Sequence, residues 1–497
     1  MKLYTRMAIA VIALLAFTAL AGAQGRSTPS TTLGSWTPLN NQPGVAVGPM
    51  LQLRDGRILV NESQGPDTGV WLILTPDSTG SYVNGTWSTT GHLPAGYQPI
   101  YFGSQLLLDG KHVVIEGGEY NQGSAVWTTL GAVGTITPFG NVSWVLNAPP
   151  SGWNTIGDAQ SVVLANGNYM QSNCCTAQNA IYNGPNSWLT TGSVLQPDND
   201  ESGFTLLTNG KVLTVDAKFN SNCSTNVGSE LYDQTTGTWT CAAHTPVQLY
   251  NPADEELGSA VLMYNNKVFQ VGGNIVATAV YDVASNTWAA GPTPPNGLDQ
   301  ADGPGALEPN GKVLEMLSPG LFNRGCQMME YDPTAATLTN TNNPTNCPAD
   351  SSYVGHFMVL PTGQIMFTDF SGLVEVYTPA AGVVASAKPT ILASSTNLTH
   401  GSTNNILYGK QLNGLSQGGA YGDDYQGDTD YPLVRLTNTS TGAVYWAFTH
   451  DENTHSIAPG TVMYTKFDLP ASIPAGTYSI VSIANGIASN AITVSVH

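Results

Sequence analysis

The sequence predicts an all-β protein in which a seven-bladed β-propeller precedes a smaller β-sandwich. Only 10% of the residues are charged, against about 25% in a typical globular protein, while 54 glycines separate many short apolar runs. One strand–turn–strand unit recurs through most of the chain, and a different strand pattern follows it. Repeated short strands joined by glycine turns are typical of propellers and sandwiches.

The N-terminus carries the pattern of a secretory signal peptide, residues 1–23. Lys2 and Arg6 precede an apolar run that ends at Leu20, and the small residues Ala21-Gly22-Ala23 supply a cleavage site. The run is shorter than the roughly 18 residues of a membrane span, and no later stretch approaches that length. We therefore expect a secreted protein, extracellular or periplasmic, without a membrane span.

The net charge of the chain limits the classes of partner that it can bind. The net charge is −19, from 15 basic and 34 acidic residues. Nucleic acids and anionic membranes attract clustered Lys and Arg, so both are disfavoured as partners. Cations and neutral carbohydrates, free or on a cell surface, remain as ligands, and a monomer is expected.

Six cysteines in an exported chain favour disulfides. The local pairs are Cys174 with Cys175, Cys223 with Cys241, and Cys326 with Cys347. A bridge between the adjacent Cys174 and Cys175 would form a rigid plate suited to stacking under a ligand. Alternatively, one of these two pairs with Cys223, and the sequence leaves the connectivity open.

Seven tight turns define the repeat. Each joins two apolar strands, and most read Asx-Gly followed by a basic or polar residue; they begin at Asp55, Asp109, Asn166, Asn209, Asn265, Asn310 and Thr362. Successive turns lie 43 to 57 residues apart, which brackets the kelch period of about 50, so each unit predicts a four-stranded blade. Because Asx and Gly tolerate positive φ, these pairs predict two-residue type I′ hairpins.

The two ends of the predicted propeller complement each other. The seventh unit stops after Tyr377 without the Trp-bearing outer strand of other units, and an orphan Trp36 lies near the N-terminus. We expect residues 35–39 to complete the last blade, which would close the ring and remove an exposed sheet edge. The propeller is predicted over residues 34–379, and about seven short strands in residues 387–497 predict an immunoglobulin-like β-sandwich.

The repeat units, with Gly117-Gly118 and Gly272-Gly273 after their second strands, and the C-terminal β-domain together resemble the galactose oxidase and glyoxal oxidase superfamily. Its copper radical oxidases hold one copper with a Cys-crosslinked Tyr, a second Tyr and two His. The resemblance implies that Tyr101 stands where the crosslinked Tyr belongs and Tyr353 where a Tyr-His pair belongs. The resemblance implies one imidazole ligand at His450, within Thr449-His450-Asp451-Glu452-Asn453-Thr454, while the second imidazole position falls at Val354 and the nearest histidine is His356, two residues further on.

Two departures from that family argue against oxidase chemistry. No cysteine near Val47 is placed to form the thioether, and Val354 replaces the histidine that should follow Tyr353. Copper affinity depends on nitrogen ligands, and the radical depends on the modified Tyr. We therefore assign no catalytic residue, expect no copper, and predict no radical oxidation of alcohols or aldehydes.

Carboxylates recur where the innermost strand of successive units begins. They are Asp158, Asp200, Glu201, Glu255, Glu256 and Asp302. Equivalent positions of a propeller form a ring around its channel, so these groups are predicted to gather at one face, where Ca²⁺ or sugar hydroxyls would bind. The alternative is that they cap strand ends in a water-filled channel mouth. A later acidic loop, Asp423 to Asp430, is a further cation candidate but is better explained as a solvated loop.

The leading hypothesis is a secreted binding protein without catalysis whose propeller face recognises an extracellular ligand, most plausibly a carbohydrate. The ligand-binding residues predicted for it are Asp158, Asp200, Glu201, Glu256 and Asp302, with calcium as the candidate cation. Two enzymatic alternatives remain: a divergent copper radical oxidase, and a glycoside hydrolase that uses two facing carboxylates.

Overall fold

Short antiparallel strands dominate the computed structural model, which describes residues 33–64, 67–219, 223, 227–458 and 460–497. The predicted signal peptide lies outside these residues. The strands before residue 380 are β1 (Ser35–Pro38), β2 (Val47–Gln52), β3 (Ile58–Glu62), β4 (Val70–Thr75), β5 (Thr86–His92), β6 (Pro99–Ile100), β7 (Gly103–Leu106), β8 (His112–Glu116), β9 (Tyr120–Asn121), β10 (Ser124–Ala125), β11 (Gly131–Ile136), β12 (Val142–Asn147), β13 (Ser161–Val163), β14 (Tyr169–Ser172), β15 (Asn179–Tyr182), β16 (Trp188–Thr190), β17 (Thr205–Leu206), β18 (Val212–Val215), β19 (Ser229–Asp233), β20 (Thr238–Cys241), β21 (Leu257–Leu262), β22 (Lys267–Gly272), β23 (Thr278–Asp282), β24 (Thr287–Ala290), β25 (Gly305–Leu307), β26 (Val313–Leu317), β27 (Gln327–Asp332), β28 (Thr337–Asn340), β29 (His356–Val359), β30 (Ile365–Thr368) and β31 (Glu375–Thr378).

These strands form repeated antiparallel sheets of four strands, an all-β arrangement consistent with a β-propeller. The repeated sheets are β2–β5; β7, β8, β11 and β12; β13–β16; β17–β20; β21–β24; β25–β28; and β29–β31 with β1. The first strand of each sheet contacts the first strands of its two neighbours, and the series returns from β29 to β2. A small additional sheet contains β6, β9 and β10.

The remaining strands are β32 (Thr390–Ser394), β33 (Asn397–Leu398), β34 (Asn405–Lys410), β35 (Gly419–Ala420), β36 (Leu433–Asn438), β37 (Val444–His450), β38 (Met463–Asp468), β39 (Gly476–Ala484), β40 (Ile487–Ala488) and β41 (Ile492–Val496). All of them except β35 belong to one connected set of nine strands. Four 3-10 turns complete the described secondary structure: Pro295–Gly297, Cys347–Ala349, Ser352–Val354 and Ala385–Ala387. No helix in the described part of the chain has the length and apolarity that a bilayer crossing requires.

The seven predicted tight turns each join the first two strands of a sheet, but they are not type I′ hairpins. At the first of them, the Gly56 amide donates to the Leu53 carbonyl at 3.0 Å and the Leu53 amide donates to the Arg57 carbonyl at 2.8 Å. Gly56 has a φ of 76°, whereas Asp55 is not left-handed. This is a type I turn followed by a left-handed residue, a three-residue loop that needs only one positive φ.

The prediction that the N-terminal strand completes the last sheet is confirmed. β1 pairs antiparallel with β31, with Trp36 opposite Tyr377. The Trp36 indole lies 5.0 Å from the Tyr377 ring and 5.5 Å from the Phe367 ring, and its N–H donates to the Asn342 carbonyl at 2.7 Å. A strand from the chain's beginning therefore covers the edge left by β31.

Replacing Trp36 with alanine is expected to lower the free energy of unfolding by about 2–3 kcal/mol. The loss falls below the roughly 3–5 kcal/mol typical of a fully buried Trp because this indole is half-buried. Chemical denaturation of Trp36→Ala beside Thr37→Ala, an exposed position on the same strand, measures it; the control should stay within about 0.5 kcal/mol of wild type. Equal losses in the two variants would contradict a closing role for the indole.

One hydrophobic cluster contains residues of both the repeated sheets and the C-terminal strands. Leu433, Phe448 and Ile483 of the C-terminal strands pack in the same cluster as Trp71 and Phe102. Residues 418–431, here called the inserted segment, reach further: β35 pairs with β25, placing Ala420 opposite Gly305. The C-terminal region therefore contributes directly to the centre of the repeated sheets.

Three disulfides link the cysteines as the local pairs predict: Cys174–Cys175, Cys223–Cys241 and Cys326–Cys347. The alternative pairing of Cys174 or Cys175 with Cys223 is therefore wrong. Disulfides persist in oxidising compartments, so the covalent structure indicates such an environment.

Candidate functional site

The carboxylates predicted from successive units converge on one cavity of about 320 Å³. Its lining, here called the acidic cavity, comprises Tyr101, Glu119, Tyr120, Asp158, Glu201, Glu256, Asp302, Phe322, Tyr353, Asp423 and Asp424. Four of the five predicted ligand-binding residues are in this set. The sequence placed them there because each precedes the first strand of its sheet, and those first strands contact one another around the centre.

A left-handed backbone recurs at this position. Tyr101 has a φ of 54°, Glu201 of 60° and Asp302 of 49°, all unusual for residues other than glycine. Each of the three precedes the first strand of a different sheet and lines the acidic cavity. Such strained residues persist only where the surrounding structure holds them, and they cluster at functional sites.

Asp200 is the predicted ligand-binding residue that does not line the cavity. Its carboxylate lies 3.1 Å from Lys218 Nζ, which also lies 2.9 Å from Asp198 and 3.3 Å from Glu255. The next residues along the chain, Glu201 and Glu256, line the cavity instead. Lys218 therefore neutralises the outer carboxylates, whereas the described lining of the cavity includes no lysine or arginine.

Two further carboxylates, Asp423 and Asp424, come from the inserted segment. They are only 3% and 1% exposed, so the expectation of a solvated loop is wrong. The segment is held by β35 and by tyrosine hydroxyls: Tyr425 donates to the Phe357 carbonyl at 3.0 Å and Tyr431 to the Gln52 carbonyl at 2.5 Å. The tyrosines between the aspartates were the signal that this stretch is buried.

Glycine allows the inserted segment to approach the cavity. A Cβ at Gly422 would lie 1.9 Å from Asp302 Oδ1, so no larger residue fits without displacing that carboxylate. Asp302 of the repeated sheets and Asp423 of the inserted segment are thereby brought to the same cavity.

The carboxylate oxygens form two groups of metal-ligand dimensions. Oxygens of Asp158, Glu201 and Asp423 lie within 4.8 Å of one another, and so do oxygens of Glu201, Glu256 and Asp302. Glu201 belongs to both groups. A third such group includes Cys174 with Asp158 and Asp200, but the Cys174 sulfur is in a disulfide and offers no thiolate.

Burial and mutual repulsion disfavour ionisation of these groups. Burial, reinforced by Glu256 and Asp302, holds the pKa of Glu201 well above its usual value, and burial with neighbouring carboxylates does the same for Asp158, Asp302 and Asp423. Burial also raises the pKa of Glu256 to about 7 and that of Asp424 to about 7. Without a cation these carboxyl groups are therefore driven towards their neutral, protonated form.

Buried oxygens of the cavity lack partners. Asp424 Oδ2 and Glu256 Oε2 accept no hydrogen bond from the described protein atoms, and these residues are only 1% and 7% exposed. An unsatisfied buried polar group costs about 1–3 kcal/mol, and more when charged. These oxygens are thus available to accept a hydrogen bond or to bind a cation.

The residues suggested by the oxidase resemblance do not assemble. Tyr101 and Tyr353 line the cavity, but His356 is fully buried, 5.0 Å from the Phe370 ring, where desolvation lowers its pKa to about 3. His450 is outside the lining, with its two ring nitrogens each 3.0 Å from a carboxylate, Asp451 and Asp468.

Sequence reasoning missed Glu119, Tyr120 and Phe322 in the lining. Glu119 and Tyr120 follow the Gly117-Gly118 pair, and Phe322 lies in a loop after β26. Tyr101 and Tyr120 meet edge to face at 6.1 Å, and Phe322 meets Tyr353 at 5.1 Å. The cavity therefore combines carboxylates with aromatic rings.

No protein-family model matches the chain, and no curated protein sequence matches it. Solved structures that match include a streptogramin B lyase, a selenomethionine-substituted virginiamycin B lyase from Staphylococcus aureus, and a catalytically inactive variant of that lyase with quinupristin. Each is 10% identical and covers 70% of this chain and 98%, 99% and 100% of its own, with TM-scores of 0.48, 0.45 and 0.47 respectively. At this similarity we draw no conclusion about activity or ligand.

The family predicted from the sequence is wrong. No family model of any kind matches the chain, so none supports a kelch protein of the galactose oxidase and glyoxal oxidase superfamily, and the matching structures named above are lyases. Glycine hairpins and aromatic outer strands meet the needs of any four-stranded blade, so they indicate architecture rather than family. The copper oxidase alternative rested on that resemblance, and none of the matches tests it.

Proposed function

We propose that the protein is an exported binding protein whose acidic cavity holds a hydroxyl-rich extracellular ligand, a carbohydrate, with the help of calcium. The observation that carries the proposal is the convergence of seven carboxylates and four aromatic side chains on one cavity. Carboxylate oxygens are the ligands that Ca²⁺ prefers, and Ca²⁺ takes six to eight oxygens, some of which sugar hydroxyls can supply. Aromatic rings add apolar faces for a sugar ring.

The proposal includes the finer architecture. Six four-stranded sheets and a seventh of β25–β28 extended by β35, whose first strands contact one another in a closed series, support a seven-bladed propeller over residues 34–379. The connected C-terminal strands support an immunoglobulin-like sandwich over residues 387–497. Three disulfides support export.

Binding without catalysis accounts for the pKa pattern. Acid–base catalysis usually needs carboxyl groups whose pKa values are pushed apart. In this cavity burial raises the pKa of every carboxyl group in the two metal-ligand groups, so none of these pKa values is shifted in the opposite direction. A shared cation reduces the repulsion among these carboxylates, because its positive charge stabilises the ionised form of all of them.

A glycan array followed by titration calorimetry tests the proposal. We expect a neutral oligosaccharide to bind in calcium and to lose at least about tenfold in affinity, 1.4 kcal/mol, after chelation or in Asp302→Asn. Asp332→Asn is the matched control, since Asp332 accepts a hydrogen bond from the Thr334 amide in a hairpin turn and does not line the cavity. Sugar binding that is equally strong in Asp302→Asn would contradict the site.

A glycoside hydrolase is the second candidate. Glu201 and Glu256 have oxygens within 4.8 Å, and the Glu256 pKa of about 7 suits a general acid. Paired carboxyl groups about 5 Å apart are typical of retaining glycosidases. Release of reducing sugar from the bound oligosaccharide, abolished in Glu256→Gln, would replace the binding function with this one.

A further inference from the structure

The two carboxylate groups of the acidic cavity are separate ligand sets that share one member. Asp158 and Asp423 accompany Glu201 in the first, and Glu256 and Asp302 accompany it in the second. Ca²⁺–oxygen distances are about 2.3–2.6 Å, so two ligands of one ion lie at most about 5.2 Å apart. Oxygens within 4.8 Å satisfy this limit inside each group.

The side-chain positions favour two ion positions over one. Among the described residues, no group joins Asp158 or Asp423 with Glu256 or Asp302 within 4.8 Å. A single cation would therefore leave either the Asp158 pair or the Glu256 pair as neighbouring buried carboxylates without a counter-charge. The ionised carboxylates of that pair would repel each other, whereas a second cation offsets their charge.

Partnerless oxygens give an independent sign of a ligand. Asp424 belongs to neither set, is 1% exposed, lines the cavity, and has an Oδ2 without a hydrogen-bond partner in the described structure. In the second set, Asp302 Oδ1 and Glu256 Oε2 are also partnerless, and in the first set Asp158 Oδ1 is. Unsatisfied oxygens thus occur on both sides of Glu201.

We propose that the acidic cavity binds two calcium ions bridged by the Glu201 carboxylate, one held with Asp158 and Asp423 and the other with Glu256 and Asp302. The five ligating carboxylates carry five negative charges against the four positive charges of the ions, and Glu119 and Asp424 add two further carboxylates to the lining. Three carboxylates do not fill the six to eight positions of either ion, so water or ligand hydroxyls complete both. The inference deepens the proposed function and rests on it only in assigning the remaining positions to sugar hydroxyls.

If Glu201 bridges both ions, its substitution should affect calcium binding more than substitution of any other ligand. Equilibrium dialysis of the full chain against calcium alone should give two ions per wild-type molecule. Asp158→Asn and Glu256→Gln should each lose one ion, whereas Glu201→Gln should weaken both by at least about tenfold, 1.4 kcal/mol each. Asp332→Asn should retain two, because its carboxylate lies in a hairpin turn outside the cavity.

Lanthanide luminescence supplies a test that needs no variant. Terbium in the cavity should be sensitised by Tyr101, Tyr120 or Tyr353, which line it. Mixed terbium and europium should show energy transfer, since ions sharing a carboxylate lie a few ångströms apart. One ion per wild-type molecule, no ion, or absence of transfer at a loading of two would overturn the proposal.

Sugar binding separates this inference from the proposed function. Two calcium ions without affinity for any sugar would uphold the bridged pair and refute carbohydrate recognition. One calcium ion with calcium-dependent sugar binding would uphold the function and refute the bridge.

Discussion

Replacing Arg54 with methionine is expected to destabilise the protein by about 3–5 kcal/mol. Arg54 Nη1 lies 2.5 Å from Glu452 Oε1, both side chains have 0% exposure, and the guanidinium lies 4.1 Å from the centre of the Tyr431 ring. The groups meet as an ion pair without the alignment of a hydrogen bond, so their attraction is mainly Coulombic. Methionine fills similar space but leaves the Glu452 carboxylate buried without its counter-ion.

A double-mutant cycle separates the pair from packing. Glu452→Leu alone should also destabilise, but Arg54→Met with Glu452→Leu should recover most of the loss, since hydrophobic replacement of a buried ion pair is often neutral. Urea unfolding monitored by tryptophan fluorescence gives all four stabilities. Additive losses in the double variant would show that Arg54 acts through its other contacts instead.

Calcium should change how stability depends on pH. The folded-state pKa of Glu256 is about 7 and that of Asp424 is about 7, raised from ordinary values of 4.5 and 3.8. Below about pH 4 both states hold these protons; as pH rises towards 7 the unfolded state loses them first, so stability falls. Each group contributes up to about 1.4 kcal/mol per pH unit, giving a loss of several kcal/mol without calcium.

Saturating calcium should remove most of that loss, because it stabilises the ionised carboxylates in the folded state alone. Other buried groups titrate in the same range: the pKa of Glu315 is raised by burial to about 8, and His356, lowered to about 3, acts in the opposite direction below its ordinary value of 6.5. They affect both conditions equally. Unfolding free energies from about pH 5 to 8, with calcium or with chelator, should therefore diverge as pH rises; parallel curves would contradict an ionised, cation-binding cavity.

Local patterns predicted much of this fold. The hairpin glycines located the first two strands of each sheet, and the orphan Trp36 located the strand that pairs with β31. Equivalent positions of repeated units occupy equivalent places in the fold, so the sequence could place four carboxylates together: Asp158, Glu201, Glu256 and Asp302. The hairpin type was wrong, since one extra residue with one left-handed glycine serves the same connection.

Long-range insertion was not predictable from those patterns. Asp423 and Asp424 reach the cavity only because the inserted segment pairs β35 with β25, a contact between distant parts of the chain. The prediction that Asp200 faces the cavity was wrong for a local reason. Successive residues point in different directions at the start of a strand. The Asp200 side chain points away from the cavity and forms an ion pair with Lys218.

Strands that are distant in sequence but meet in one sheet set an order of events during translation. β1 ends at Pro38 and its partner β31 begins at Glu375, so the ribosome needs roughly 15–70 s to join them at about 5–20 residues per second. Until then β1 is a strand without its partner, and an unpaired strand is a hazard for aggregation. Asp423 and Asp424 emerge later still, so an occupied cavity would distinguish a finished molecule from a stalled nascent chain.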